Sequence, residues 1–266
     1  MKATHILIDT HCHIHEADYP LNANEVIEHA HRAGVMQIIC VGTDAQDSRL
    51  AIELAEKHDG IFASVGVHPH HANKSLDEFF DFVNNIEFDD KIVAIGEIGL
   101  NRHNPDDPPL TDQINILKQQ IKLALEHDLP IIFHVREAYD DFWKVLDSID
   151  TGGRQIRGVL HSFTDTIDNM NEGLRRGFYF SINGISTFTH DTTQKEMFST
   201  IPLDRLLLET DAPWLVPYPL RGKVKINEPA LVKEITEYTG KIRDISFDEI
   251  ADITTSNACR LFNLQP

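Results

Sequence analysis

Metal-ligand side chains stand at the ends of several apolar runs in this chain. Asp9-Thr10-His11-Cys12-His13 closes the first run. A strand turns alternate residues to one face, so His11 and His13 point the same way and Cys12 points opposite. Two imidazoles sharing a small space suit a divalent cation, because neutral imidazole is the commonest biological metal ligand. His13 and His15 would offer the same geometry; the placement of the pair after Ile6–Ile8 favours His11 and His13. The run Ile92–Gly96 ends in Glu97, where a carboxylate is costly unless paired or bound to a cation. Ile131-Ile132-Phe133 ends in His134, Val159-Leu160 in His161, and Leu206-Leu207-Leu208 in Glu209-Thr210-Asp211. Taken singly, each has a bland reading as well: a core or rim histidine, or a surface acid opening a loop.

The elements that carry these residues decide between the readings. Strand-length apolar runs recur at His5–Thr10, Val35–Val41, Ile61–Val67, Ile92–Gly96, Pro130–His134, Gly158–His161, Phe178–Ile182 and Arg205–Glu209. Helical spacing fills the intervals: Ala23–Ala33, Ala45–His58, Ser75–Ile86, Thr111–His127, Glu137–Ser148, Asp165–Arg175, a weak stretch near Thr192–Ser199, Pro229–Tyr238 and Phe247–Phe262. Asn24, Thr111 and Asp112 supply helix starts, and Gly34, Gly60 and Gly177 supply left-handed stops. Strict alternation predicts an α/β fold with parallel strands closed into a (β/α)8 TIM barrel, a single domain over residues 1–266. Such a barrel typically uses about 250 residues. A doubly wound open sheet is the alternative, but no GxGxxG or GxxxxGK[ST] turn is present. The barrel gathers every C-terminal strand end at one mouth. His11, His13, Glu97, His134, His161 and Asp211 then meet, four imidazoles and two carboxylates suited to zinc, manganese or another divalent ion. Two long Pro-rich segments, Asn101–Leu110 and Pro213–Pro229, are expected to rim that mouth.

Composition narrows the function classes. With 24 basic and 42 acidic side chains the formal charge is −18, which excludes binding driven by a bulk positive field. The cysteines, Cys12, Cys40 and Cys259, form no CxxC pair, so neither a disulfide framework nor a zinc ribbon is indicated. No stretch approaches the ~20 apolar residues of a membrane span, and the first strand-like run begins too early for a leader. The expectation is a cytoplasmic protein with no membrane association and no obligate protein partner.

The ordered set Asp9–His13, Val65–His70 (VGVHPH), Gly96–Leu100 (GEIGL), His134–Ala138 (HVREA), His161-Ser162-Phe163, Glu209–Pro213 (ETDAP) and Asn227-Glu228-Pro229 resembles the TatD family of metal-dependent hydrolases, within the amidohydrolase superfamily of TIM barrels. The resemblance runs through nearly the whole chain. It implies two divalent metal ions (Zn, Mn or Mg), one held by His11, His13, Glu97 and Asp211, the other by Glu97, His134 and His161, with Glu97 as the bridge. Two segments depart from the family pattern. Asn101 stands where an aspartate is usual, followed by Arg102-His103-Asn104-Pro105, and Ser162 and Thr164 flank Phe163 where the family segment ends in glycine.

The resemblance further implies a deoxyribonuclease hydrolysing DNA phosphodiesters from short single-stranded or frayed 3′ ends, as a 3′-5′ exonuclease. Two ions lower the pKa of a shared water and clamp the attacking and leaving oxygens. Asp211 is the general-base candidate beside Glu97 as catalytic bridge, and His68 and Arg136 are candidate substrate contacts. The acidity of the chain disfavours a long nucleic-acid footprint, since such affinity comes from Lys and Arg neutralising phosphates; two bound divalents would supply the local positive charge. Phe163, Trp214 and Tyr218 are candidates to stack a base, or to pack the rim. The rival readings keep the metals but cut an amide, lactone or small phosphoester, or make the barrel an inactive binding protein.

Overall fold

The computed structural model describes residues 5–73 and 76–265; Ser75, the expected start of the third helix, and the ends of the expected 1–266 domain lie outside the described residues. Strands β1 (Leu7–Cys12), β2 (Val35–Val41), β3 (Ile61–Val65), β4 (Ile92–Asn101), β5 (Ile131–Arg136), β6 (Gly158–Leu160), β7 (Tyr179–Ile182) and β8 (Leu206–Leu208) form one sheet in sequence order, each paired parallel to the next. The helices between them are α1 (Ala23–Ala33), α2 (Ala45–Lys57), α3 (Leu76–Val83), α4 (Leu110–Glu126), α5 (Tyr139–Asp147), α6 (Ile167–Arg175), α7 (Ile185–Phe188) and α8 (Thr192–Thr200), with α9 (Val232–Arg243) and α10 (Phe247–Phe262) after the last strand. The fold is the (β/α)8 barrel that the alternation predicts. Local details differ. Asn22, not Asn24, caps α1, its side chain accepting from the backbone N–H of Asn24 and Glu25. The segment expected to be helical from Pro229 opens as a 3-10 turn, Pro229–Leu231, before α9 begins.

Two irregularities aim the candidate ligands. On β1, Asp9 pairs with Ile38 and Cys12 with Cys40, three steps against two. Leu7 and Cys12 both pack outward among the helix-facing residues, whereas strict alternation would oppose them. The extra residue is a bulge that turns His11 and His13 inward. The same thing happens on β4, where Ile95 pairs with Ile131 and Ile98 with Phe133. Ile95 and Ile98 both lie in the outer core, so Glu97 is delivered to the interior. Glu97 is thus not the end of its strand, which continues four residues further to Asn101. Gly99 packs so tightly on β5 that a Cβ there would come within 1.7 Å of the His134 carbonyl oxygen.

Inside the barrel, Ile8, Ile39, Val93, Ile132, Val159, Tyr179 and Leu207 pack with Ala258, Leu261 and Phe262 of α10. That helix also anchors on the strand starts: Thr255 Oγ1 donates to Ile6 O at 2.7 Å and Asn257 Nδ2 to Leu206 O at 2.9 Å. The floor is therefore plugged and the opposite, C-terminal face stays open.

β8 is short, and the junction of β1 with β8 relies on single bonds rather than a ladder. Asp211 N donates to His11 O at 2.9 Å and His13 N to Ala212 O at 2.8 Å. Thr10 Oγ1 donates to Leu208 O at 3.0 Å, and buried Asp9 accepts from Thr210 N at 2.8 Å and from Thr210 Oγ1. Burial, with the Glu209 charge nearby, outweighs the hydrogen bonds from Thr210 and pushes the Asp9 carboxyl well above the usual carboxylate range. No described helix is long and apolar enough to cross a membrane.

Candidate metal centre

The six candidate ligands converge at the open face: His13, Glu97, His134, His161 and Asp211 line a cavity of about 560 Å3, and His11 is buried behind them against Glu97, Asp211 and His161. The two oxygens of Glu97 face different partners. Oε2 stands 3.4 Å from His11 Nε2 and 3.9 Å from His13 Nε2. Asp211 Oδ1 completes this group at 3.6 Å from each of those nitrogens, which are 3.1 Å from one another. Oε1 stands 2.6 Å from His134 Nδ1 and 2.7 Å from His161 Nε2, themselves 3.1 Å apart. Donors bound at about 2.0–2.1 Å around a tetrahedral ion lie roughly 3.4 Å from one another. The first group, at 3.1–3.9 Å, brackets that value and the second, at 2.6–3.1 Å, is tighter; the donor types, nitrogen and carboxylate oxygen, are those of divalent metal sites. The residues present fit a metal centre. Fixed rings narrow the geometry further, since His11 stacks on His161 with centroids 4.1 Å apart.

The electrostatics agree with this reading. Burial opposes the Glu97 charge, but His161 and His68 attract it and His11 and His134 hydrogen-bond it, holding the carboxyl well below its ordinary range. Burial likewise opposes Asp211, and His13, His11 and His161 outweigh it, so this carboxyl is also depressed. Burial would lower the His161 pKa, but Glu97 and Glu209 raise it well above the ordinary value. Two carboxylates are thus kept ionised in a buried mouth.

His68, from the loop after β3, also reaches the centre. Its Nδ1 accepts from His70 N at 3.1 Å, which leaves the proton on Nε2, 3.5 Å from Glu97 Oε1. Burial and neighbouring His134 push its pKa well below the ordinary value. His68 therefore presents an Nε2 proton to the cavity. Arg136 ends β5 on the cavity wall, with Nη2 3.4 Å from His103 Nε2. His15 turns to Asp47, 3.1 Å away, and with His13 and Asp47 forms a neighbouring cluster of ligand types, whereas His11 and His13 face Asp211 and Glu97. Phe163 is corrected as a stacking candidate. It is 1% exposed and packs edge-on against Tyr139 and Phe180 in the core, where the apolar ring is worth more buried than at a wet rim.

Glu209 was not singled out by sequence, although its spacing two residues before Asp211 at a strand end places both acids on one face. It is fully buried, accepts from Ser162 N at 2.7 Å, from Asn183 Nδ2 at 3.2 Å and from Ser181 Oγ, and lies 3.6 Å from His161 Nδ1. It faces the back of the His161 ring at ion-pair distance. The Ser162 departure is absorbed here: its backbone takes a left-handed φ of 47° and is pinned by the Glu209 carboxylate. Asn101 is equally built in, its amide nitrogen 2.6 Å from His70 Nε2 and its oxygen accepting from His103 N at 2.9 Å. Glu209→Gln is expected to lower divalent-ion affinity about 10- to 100-fold, the usual cost of removing a carboxylate behind a metal-binding histidine. Titration of metal-depleted protein, followed by isothermal calorimetry, would show it; unchanged affinity would remove the positioning role.

A parallel barrel with a carboxylate set between two nitrogen/oxygen donor groups defines the class of metal-dependent hydrolases. The profile described as TatD related DNase matches residues 8–263. The chain belongs to the TatD family. A Bacillus subtilis (strain 168) protein named as the uncharacterized metal-dependent hydrolase YabD is 39% identical over 97% of this chain and 100% of its own length. An Erwinia tasmaniensis protein named 3′-5′ ssDNA/RNA exonuclease TatD is 34% identical over 97% of this chain and 100% of its own. The crystal structure of YjjV, a TatD homologue from Escherichia coli K12, superposes with a TM-score of 0.86 at 29% identity, covering 97% of this chain and 98% of that one.

Proposed function

We propose that the chain hydrolyses DNA phosphodiesters as a 3′-5′ exonuclease on short single-stranded or frayed ends, using two divalent ions. The carrying observation is Glu97, whose two oxygens each face a separate donor group. In this reading His11, His13, Asp211 and Glu97 hold one ion, and His134, His161 and Glu97 the other; zinc, manganese and magnesium all accept such donors. Bound there, the ions would lower the pKa of water and offset charge developing on the phosphate. Asp211, kept ionised, accepts the water proton. His68 donates from Nε2 to a phosphate oxygen, its proton position fixed by the His70 backbone. Arg136 pairs with a phosphate at the outer wall. Relatives at 32–34% identity named 3′-5′ ssDNA/RNA exonuclease support the substrate class.

The test uses oligonucleotides with free or blocked 3′ and 5′ ends, beside a small phosphoester and a lactone. Expected are cleavage only from a free 3′ end, loss of it on chelation, and its return with one of the three ions. Hydrolysis of the small esters with the oligonucleotides left intact would overturn the assignment.

A further inference from the structure

Resting on the nucleic-acid reading above, we propose that Trp214 is the platform on which the terminal nucleobase stacks, so that the site takes hold of a base as well as a phosphate. Trp214 follows the Asp211 turn at the end of β8 and its side lines the metal cavity. The residue is 51% exposed, yet its ring meets His13 edge-on with centroids 5.3 Å apart. An open aromatic ring on the wall of a cavity lined mostly by polar residues offers a face that a flat ligand can cover.

The backbone beneath that ring is tied down. Trp214 N donates to Asp211 O at 3.0 Å, and Trp214 O accepts from Asn227 Nδ2 at 2.5 Å. Asn227 is itself fully buried and also donates to Thr210 O at 2.9 Å. The same bonds that shape the Asp211 turn therefore fix the backbone from which the indole projects, and its edge-on contact with His13 sets the ring beside the mouth. Of the other aromatic candidates, Phe163 has no free face, and Tyr218, equally exposed, is not part of the cavity wall.

Charge complementarity identifies the occupant. Arg136 and the Nε2 proton of His68 face the cavity as phosphate donors, while Trp214 supplies the only large exposed apolar ring on its wall among the described residues. Phosphate on one side and a planar ring on the other is the outline of a nucleotide. A cavity of about 560 Å3 lies in the range that encloses one small-molecule-sized group. It has room for a nucleotide, and in an end-acting enzyme that nucleotide is the last.

The test compares two single-stranded oligonucleotides identical except that the 3′-terminal nucleotide carries a base or a tetrahydrofuran abasic residue. The readout is the ratio of their kcat/KM values within each protein, so any general loss from disturbing His13 cancels. Wild type is expected to prefer the base-bearing end by roughly 5- to 150-fold, the range of base–aromatic stacking. Trp214→Ala should bring the ratio toward 1 and Trp214→Phe should leave it intermediate, with the change carried by KM. Trp214→Ala that keeps the wild-type ratio overturns the platform, as does wild type that cleaves both ends equally. Wild type that cleaves neither overturns the nucleic-acid reading itself. Indole fluorescence decides the matter should Trp214→Ala fail to fold. The base-bearing oligonucleotide should quench wild type more than the abasic one does, and Trp214→Phe, which retains Trp143, should lose that difference; equal quenching in both proteins overturns the proposal.

Discussion

Glu97→Gln is expected to lose turnover by on the order of 10³-fold and to bind fewer divalent ions in both donor groups. The substitution keeps size and shape while removing the charge that lies 3.4 Å from His11 Nε2 on one side and 2.7 Å from His161 Nε2 on the other. Stabilisation of transition-state charge by bound metal amounts to several kcal/mol, and each 1.36 kcal/mol is a factor of ten in rate. Metal analysis of the purified variant together with steady-state turnover checks it. A variant that retained two ions and near-normal turnover would remove Glu97 from the bridging position, whereas loss of one ion alone would reduce it to a ligand of a single site.

The second large effect is expected at Asp211. Asp211→Asn should lower kcat by 10²- to 10⁴-fold, the usual contribution of a positioned proton acceptor, while the fold stays intact. Asp211 has φ 55°, in the left-handed region that asparagine tolerates well. Its backbone N–H bond to His11 O does not involve the side chain. The amide therefore preserves the turn and removes the proton acceptor. Circular dichroism and thermal unfolding of the metal-depleted variant separate this from a folding defect, and unchanged turnover would place the base elsewhere.

Much of this centre was legible because apolar strand runs terminate in ligand residue types, and barrel closure brings such termini together. The chemistry of His134 and His161 needed nothing more than position. The orientation of His11, His13 and Glu97 was less accessible. Simple alternation from Leu7 turns His11 outward, and from Ile95 it turns Glu97 outward; each is corrected by one extra residue whose placement is set by pairing with the neighbouring strand. That is tertiary information. Glu209 escaped notice because its function depends on what stands behind His161, namely Ser162, Ser181 and Asn183 from two other strands and their loops. The sequence leaves Phe163 open for the reverse reason: residue type allows stacking or rim packing, and only its contacts with Tyr139 and Phe180 reveal a core side chain.

The first donor group draws His11 and His13 from the opening strand and Asp211 from the turn beyond the final one, so the first and last strands of the barrel are brought together at the candidate centre. That group therefore spans the seam at which the ring closes. A chain that stopped short of Asp211 would carry Glu97, His134 and His161 yet lack one member of the first group, so under the proposed function the centre is incomplete until the last strand is in place.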